Sequence, residues 1–370
     1  MKLIFWLCIA VIAYAYIGYS ILLWLQVRLH SRPFLQGSIL TTVSIIIAVR
    51  NEAANLPAKL ENLRHLSYPQ DRLQIVIASD GSTDGTVDML RQHTSPITLV
   101  LLDQSNGKAF ALNEAVKYAT GDILVFQDAR QTIDPNAISE LVSCFADPEV
   151  GAVSGELLLD SNSGSPSSNG LDIYWKFEKI LRKLESESGS VVGATGALYA
   201  MRHNLYTTIP PGTILDDVFL PMHVVRMGKR VVFQPKAIAR DRIFDNEGKE
   251  FSRKVRTLTG NYQLTQLAPW LLSINNPLLF RYISHKLMRL LIPLLLVLML
   301  LASATSHGTF YRVSFWLQIL FYISAALGLV LPYAKKFRPI AIANTFVMLN
   351  VAAAIAFYNF LVGRHRLWTR

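Results

Sequence analysis

Cysteine is almost absent from this chain of 370 residues. The two present, Cys8 inside an apolar run and Cys144 in the polar part, cannot build a disulfide framework. Charge is also scarce: 17% of residues are Asp, Glu, Lys or Arg against 51% hydrophobic, too apolar for a disordered chain and high for a soluble one. The charge leans basic, with 36 Lys and Arg against 26 Asp and Glu, a net +10. No recognition motif accompanies that excess, so nucleic acid is not an expected partner. A dinucleotide fingerprint is missing too, because the first strand-like run is followed by Arg50-Asn51-Glu52 and not by G-x-G-x-x-G.

The apolar residues are concentrated at the two ends. Between Lys2 and Arg28 nothing is charged, and three more such windows run from Leu290 to Tyr311, Val313 to Ala334 and Pro339 to Gly363. Each reaches the ~20 residues a helix needs to cross a bilayer. Ala13-Tyr14-Ala15 resembles a signal cleavage site, but the run outlasts the roughly 7–15 residues of a signal core, so residues 1–27 read as an anchor. Arg28 and Arg32 follow the first window, and Arg281, Lys286 and Arg289 precede the second, which places the polar middle in the cytoplasm. Lys335, Lys336 and Arg338 agree. Arg364-His365-Arg366 does not agree with a fourth full span, so within 287–363 two or three helices cross, and the last segment crosses, lies in the interface or re-enters. Membrane lipids are expected partners, and the flanking basic residues suit them. Residues 269–286 read as an amphipathic helix on the membrane surface, or as a last core helix of the polar domain.

The polar middle, residues 38–268, opens with four Val/Ile-rich runs: VSIIIAV (43–49), LQIVIAS (73–79), ITLVLL (97–102) and DILVFQ (122–127). Stretches with helical spacing, 52–66, 83–92 and 108–119, alternate with them. That order predicts an α/β domain with a parallel, doubly wound sheet, whose ligand sits beyond the carboxyl ends of the strands. Those ends carry Arg50-Asn51-Glu52, Asp80-Gly81-Ser82, Asn106-Gly107-Lys108 and Asp128-Ala129-Arg130. Taken singly they have plain readings: Asp80-Gly81-Ser82 is a turn with a helix cap, and Lys108 a solvated helix residue. Asp128 is harder to dismiss, since a carboxylate at the end of an apolar strand needs a partner. Farther on, 160–170 reads as a flexible Ser/Gly-rich loop, and Gly193-Ala194-Thr195-Gly196-Ala197 as a tight turn or a close ligand approach. Asp216-Asp217 opens a helical stretch whose dipole they suit. Arg253 and Arg256 share a helix face, which a solvated basic surface also explains.

In order and spacing, this set resembles the membrane-bound family-2 glycosyltransferases, the inverting enzymes of GT-A (Rossmann-like) fold that include the cellulose, chitin, hyaluronan and poly-N-acetylglucosamine synthases. The likeness covers residues 40–265. It implies a cytoplasmic GT-A domain inserted between transmembrane helices of a bacterial inner membrane. By that resemblance, Ala48, Arg50 and Glu52 line the base and ribose of a nucleotide-sugar donor, Asp80 takes a uracil, and Lys108 sits beside the nucleotide. Asp128 matches the first acid of the family's D-x-D, beside the ribose, the diphosphate and a divalent cation, Mg2+ or Mn2+. Arg130 stands where the second acid would be. Gly193, Thr195, Gly196 and Asp216 border the acceptor, Asp217 is the general base, and Arg253 and Arg256 lie at the diphosphate. Thr257 replaces the Trp of the family's Q-x-x-R-W.

The implied activity is inverting transfer from a UDP-linked sugar to a growing cell-surface polysaccharide. One alternative is a single transfer to a ceramide-, hopanoid- or polyprenyl-type lipid; another is a non-catalytic partner in an exopolysaccharide complex. Since the spans are few for a private channel, a second copy or an export partner is expected to complete one.

Overall fold

The computed structural model describes residues 1–93, 96–160, 168–242 and 247–363. Its chain opens with a helix α1, Lys2–Leu29, long and apolar enough to cross a membrane. The first strand β1 (Val43–Val49) is buried at every position. Ile46 and Ala48 face one apolar cluster and Ile45, Ile47 and Val49 the other, and that two-faced burial is why the run is continuously apolar. Helix α2 (Leu56–Arg64), strand β2 (Leu73–Asp80), α3 (Thr86–Gln92), β3 (Thr98–Leu102), α4 (Lys108–Val116) and β4 (Ile123–Asp128) complete the alternation. β2 pairs with β1 and β3, and β4 with β1, all parallel. The strand order therefore reverses between β1 and β4, the crevice position where such sheets bind ligands.

Beyond β4 the sheet becomes mixed. β5 (Thr132–Ile133) and α5 (Ala137–Ser143) lead to β6 (Val150–Asp160), α6 (Ser168–Glu187), β7 (Leu198–Arg202), α7 (Asp216–Arg226) and β8 (Arg230–Arg242). The eight strands run in the order β3-β2-β1-β4-β7-β6-β8-β5, with β7 antiparallel to β4 and β6. The purely parallel sheet expected from the first half thus holds for β1 to β4 only. Of the loop expected over 160–170, Asp160 ends β6 and residues 168–170 open α6, while 161–167 lie outside the described residues. The basic flank 364–366 lies outside them as well.

Helix α8 (Glu247–Leu267) is followed by α9 (Leu279–Thr305), α10 (Thr309–Val330) and α11 (Arg338–Leu361), each of the last three long and apolar enough to span. With α1, these helices mark the chain as a membrane protein. The single interfacial helix expected over 269–286 is not formed. A short turn, Pro269–Leu272, precedes α9, which takes in Arg281 and Lys286, because Asn275-Asn276-Pro277 interrupts the helical register and Asn276 side-chain bonds close a turn there. The basic amphipathic helix is instead α6, with Ile173 and Ile180 exposed among exposed Lys176, Lys179 and Lys183.

The sheet domain is fastened to the membrane helices by side chains. Tyr19 on α1 donates to Glu185 on α6 (2.7 Å), and Arg281 on α9 donates to the carbonyls of Glu185, Ser188 and Ser190 (2.6–2.8 Å). α11 packs along α8 and α6 as well as α10, with Tyr262 stacked on Phe360 and tilted against Phe357.

Candidate active site

The edge defined by the carboxyl ends of β1, β2 and β4 is organised by one lysine. Lys108 is the first residue of α4, where the helix dipole opposes a cation, so carboxylates must hold it there. Two do: its Nζ lies 3.0 Å from Asp128 Oδ1 and 3.2 Å from Asp216 Oδ1. Asp216 is 3% exposed and also accepts from Tyr199 Oη at 3.3 Å. Burial works against the Lys108 ammonium, but Asp128, Asp216 and Asp217 outweigh it and raise its pKa above the usual lysine range. Asp128 is held below the usual carboxylate range: burial opposes ionisation, and Lys108, Arg256 and Arg130 more than offset it.

Asp216 and Asp217 point apart. While Asp216 turns to Lys108, Asp217 rests against the glycine-rich segment 193–197. The Asp217 carbonyl accepts from Ala194 N at 2.7 Å, and a Cβ on Gly196 would stand 3.1 Å from Asp217 Oδ2. Gly193, at φ +86°, leaves 2.9 Å from its Cβ position to Val218 Cγ2. Thr195 is buried and its N–H donates to Ser154 Oγ at 3.1 Å. Burial, and then the charge of Asp216, push the Asp217 carboxyl up to about 6, with Lys108 and Lys286 pulling the other way.

Asp80, expected at a uracil, is wholly buried. Its Oδ1 accepts from Asn106 N (2.8 Å) and its Oδ2 from Ser105 Oγ (2.7 Å) and Gly107 N (3.0 Å). No carboxylate surface is open to a base; Asp80 shapes the loop that presents Lys108. Nearby, Glu52 accepts from Asn55 Nδ2 at 2.6 Å, and its N–H donates to Thr86 Oγ1. Asn51, at φ +54°, accepts from Thr83 N at 2.8 Å, so the loops after β1 and β2 are stitched together around Ala48, Arg50 and Glu52. Asn113 of α4 bonds Ile209 and Tyr206 and so has a structural task.

Arg130 and Arg253 meet at a residue the sequence reading missed. Asp241 on β8, 4% exposed, accepts from Arg130 Nη2 at 2.5 Å and from Gln131 Nε2 at 3.0 Å, and Arg253 Nη1 lies 3.7 Å away. Arg256, one turn along α8, acts on Asp128. Lys59 was missed too. It sits in the apolar stripe of α2 with Leu56, Leu60 and Leu63, 1% exposed, and donates to Gln127 Oε1 (2.6 Å) and the Gln131 carbonyl (2.8 Å), bracketing Asp128-Ala129-Arg130. Burial pushes it down to about 7, with Asp128 opposing. A lysine on an otherwise apolar helix face was the signal available for it; Asp241, in a strand reading Ala-Arg-Asp-Arg, carried none.

Among the described residues no group of three or more His, Cys, Asp or Glu side chains could hold a metal ion. Asp128 is the one acid of the expected motif, so a divalent ion here would take most of its ligands from a bound phosphate, as Mg2+ commonly does.

A mixed, Rossmann-like sheet of this order is the GT-A arrangement. Residues 44–207 match the model for glycosyl transferase family 2, and the chain carries a domain of that family. Poly-beta-1,6-N-acetyl-D-glucosamine synthase of Staphylococcus aureus (strain COL) is 22% identical over 246 residues, 65% of this chain and 59% of that protein. N-acetylglucosaminyltransferase of Azorhizobium caulinodans is 27% identical over 244 residues, 61% of each chain. The chain thus spans about three fifths of the length of these curated relatives. A mannosyltransferase of Pyrobaculum calidifontis, solved in complex with GDP-Man and Mn2+, shares the fold at TM-score 0.75 and 24% identity, covering 97% of this chain and 99% of that one.

Proposed function

We propose that this protein is an inverting glycosyltransferase that moves a hexosyl group from a nucleotide-sugar donor, UDP-linked, to an acceptor at the cytoplasmic face of a bacterial inner membrane. The observation that carries the reading is the Asp128–Lys108–Asp216 bridge with Asp217 beside it on the glycine segment. Asp217 takes the proton of the attacking acceptor hydroxyl as the bond to the anomeric carbon forms on the face opposite the leaving group. A carboxyl poised near 6 is ionised at neutral pH yet more basic than an ordinary aspartate, which suits a general base. The departing nucleoside diphosphate gains negative charge, and Lys108, Arg256 and the Asp241-tethered Arg130 and Arg253 are the groups that would receive it. A divalent ion, when bound by Asp128 and the donor phosphates, would add charge neutralisation there.

Asp216, committed to Lys108 and Tyr199, is not available as a second catalytic carboxylate, which supports single displacement over a double one. The named synthases support a growing polysaccharide as acceptor. A second reading, one sugar placed on a lipid, is favoured by Thr257 in the position of the family's Trp and by the packing of α11 on the sheet domain. The test is the anomeric configuration of the product by NMR, starting from an α-linked donor. A β-linked product is expected; an α-linked one would overturn the single displacement. A ladder of products marks polymer synthesis, and partition into organic solvent marks a lipid acceptor.

A further inference from the structure

Position 59 calls for an apolar residue. It lies in the stripe of α2 formed by Leu56, Leu60 and Leu63, which packs with Ala129 and Ile133 in one apolar cluster. Lys59 is 1% exposed there, and both of its hydrogen-bond partners are neutral, Gln127 Oε1 at 2.6 Å and the Gln131 carbonyl at 2.8 Å. Burial works against its ammonium, and the charge of Asp128 favours it. A leucine would fill the stripe without that cost, so packing does not explain the cation.

What Lys59 holds is the corner that carries two site residues. β4 ends at Asp128, paired with β1, and β5 begins at Thr132, paired with β8. In the three residues between, the chain leaves one ladder and joins another, and α2 supports it from behind. Lys59 binds Gln127, just before Asp128, and Gln131, just after Arg130. Three residues farther along α2, on the same face, Asn62 donates to the Ile133 carbonyl and accepts from its N–H, each at 2.8 Å. The corner then continues into the site. Gln131 Nε2 donates to Asp241 Oδ2 at 3.0 Å, and the same oxygen accepts from Arg130 Nη2. One chain of hydrogen bonds thus runs from Lys59 through Gln131 and Asp241 to Arg130.

Asn62 shows that a neutral side chain can tie this corner. An ammonium adds charge-assisted donors, which grip their acceptors more tightly, and it grips at both ends of the segment at once. We infer that Lys59 is a positioning residue for the donor diphosphate: by holding both ends of 127–131, it sets Asp128 and Arg130 where the diphosphate is received. Being buried, it acts through them and not on the diphosphate itself. This rests on the reading above that a nucleoside diphosphate leaves at this edge.

Lys59→Met in the full chain, in detergent at fixed Mg2+, is titrated calorimetrically with UDP, GDP and their nucleosides beside wild type. For the base that wild type prefers, the variant should bind the diphosphate roughly tenfold more weakly, with less than about a twofold change for the nucleoside. Asp241→Asn should weaken the diphosphate as well, and the double variant should lose little more than the weaker single variant, because both changes act on Arg130 through one chain. A merely structural lysine would instead weaken nucleoside and diphosphate together. That result, an undiminished diphosphate affinity in the folded variant, or losses that add, would each overturn the assignment. If Lys59→Met gives no cooperative melting transition, Lys59→Gln, neutral and one atom shorter, carries the same comparison. A wild type that binds neither diphosphate better than its nucleoside would overturn this inference and the diphosphate reading of the edge together. A wild type that discriminates, beside a variant that discriminates equally, would reject Lys59 alone.

Discussion

Replacing Asp217 by Asn should remove activity and stabilise the fold. The Asp217 carboxyl is pushed from 3.8 up to about 6, by burial and by Asp216. An acid with a raised pKa holds its proton longer in the folded state, so stability falls as pH rises from about 4 through about 6 and stays lower above that. Roughly two units at 1.36 kcal/mol each set a ceiling of ~3 kcal/mol. Asp217 is half-buried, and water screens part of the interaction, so roughly 1–2 kcal/mol is expected. The amide has the same shape and no charge, so the substitution escapes this cost at neutral pH without opening a cavity. Thermal unfolding in detergent at about pH 7.5 should place the Asp217→Asn variant a few degrees above wild type. Near pH 4.5, where the wild-type carboxyl is mostly protonated, the gap should close. A variant no more stable than wild type at about pH 7.5, or a gap independent of pH, would refute the reasoning.

Three further outcomes follow from the same geometry. Lys108→Met leaves Asp128 and Asp216 without their shared cation, so the protein should lose roughly 3–5 kcal/mol of stability in denaturant titrations, the cost of stranding one side of a buried pair. Asp241→Asn loosens Arg130 and Arg253 together; the donor KM should rise roughly tenfold while binding of the free nucleoside changes little, as measured by initial rates and calorimetry. Gly196→Ala crowds Asp217 Oδ2, so kcat should drop roughly tenfold or more with an unchanged melting curve, because small displacements of a catalytic group are costly.

The first half of the sheet could be read from the chain because its strands are buried on both faces. Burial of that kind leaves an unbroken Val/Ile signature, and VSIIIAV is β1 to the residue. The second half could not. β6 and β8 are long, bulged strands whose short apolar runs are broken by Gly, Ser, Glu, Gln, Pro and Lys, with register shifts between Val150 and Ala152 and between Ser154 and Glu156. Their order, with β7 inserted between β4 and β6, depends on pairings distant in sequence. In the site, Lys108, Asp128 and Asp216 were legible as charges at strand and helix ends, and the structure joins them in one bridge. Asp80 was legible too, but its burial under the 105–107 loop was not. Asp241 escaped because its partners, Arg130 and Arg253, are 111 and 12 residues away and meet only through the β5–β8 edge. The interfacial-helix reading of 269–286 rests on apolar residues mixed with Arg281 and Lys286. That mixture comes from two elements, a turn and the polar end of α9.

The most direct test of transfer chemistry at this edge is nucleoside-diphosphate release by the purified full chain, with native lipids and Mg2+ or Mn2+, against a panel of sugar nucleotides. Wild type and Asp217→Asn are compared side by side. Release with one donor, reduced ~10²-fold or more in the variant, is the expected result and names the sugar. Equal release by both proteins would contradict the assignment of Asp217 as the base, and no release with any donor would contradict the transferase reading itself.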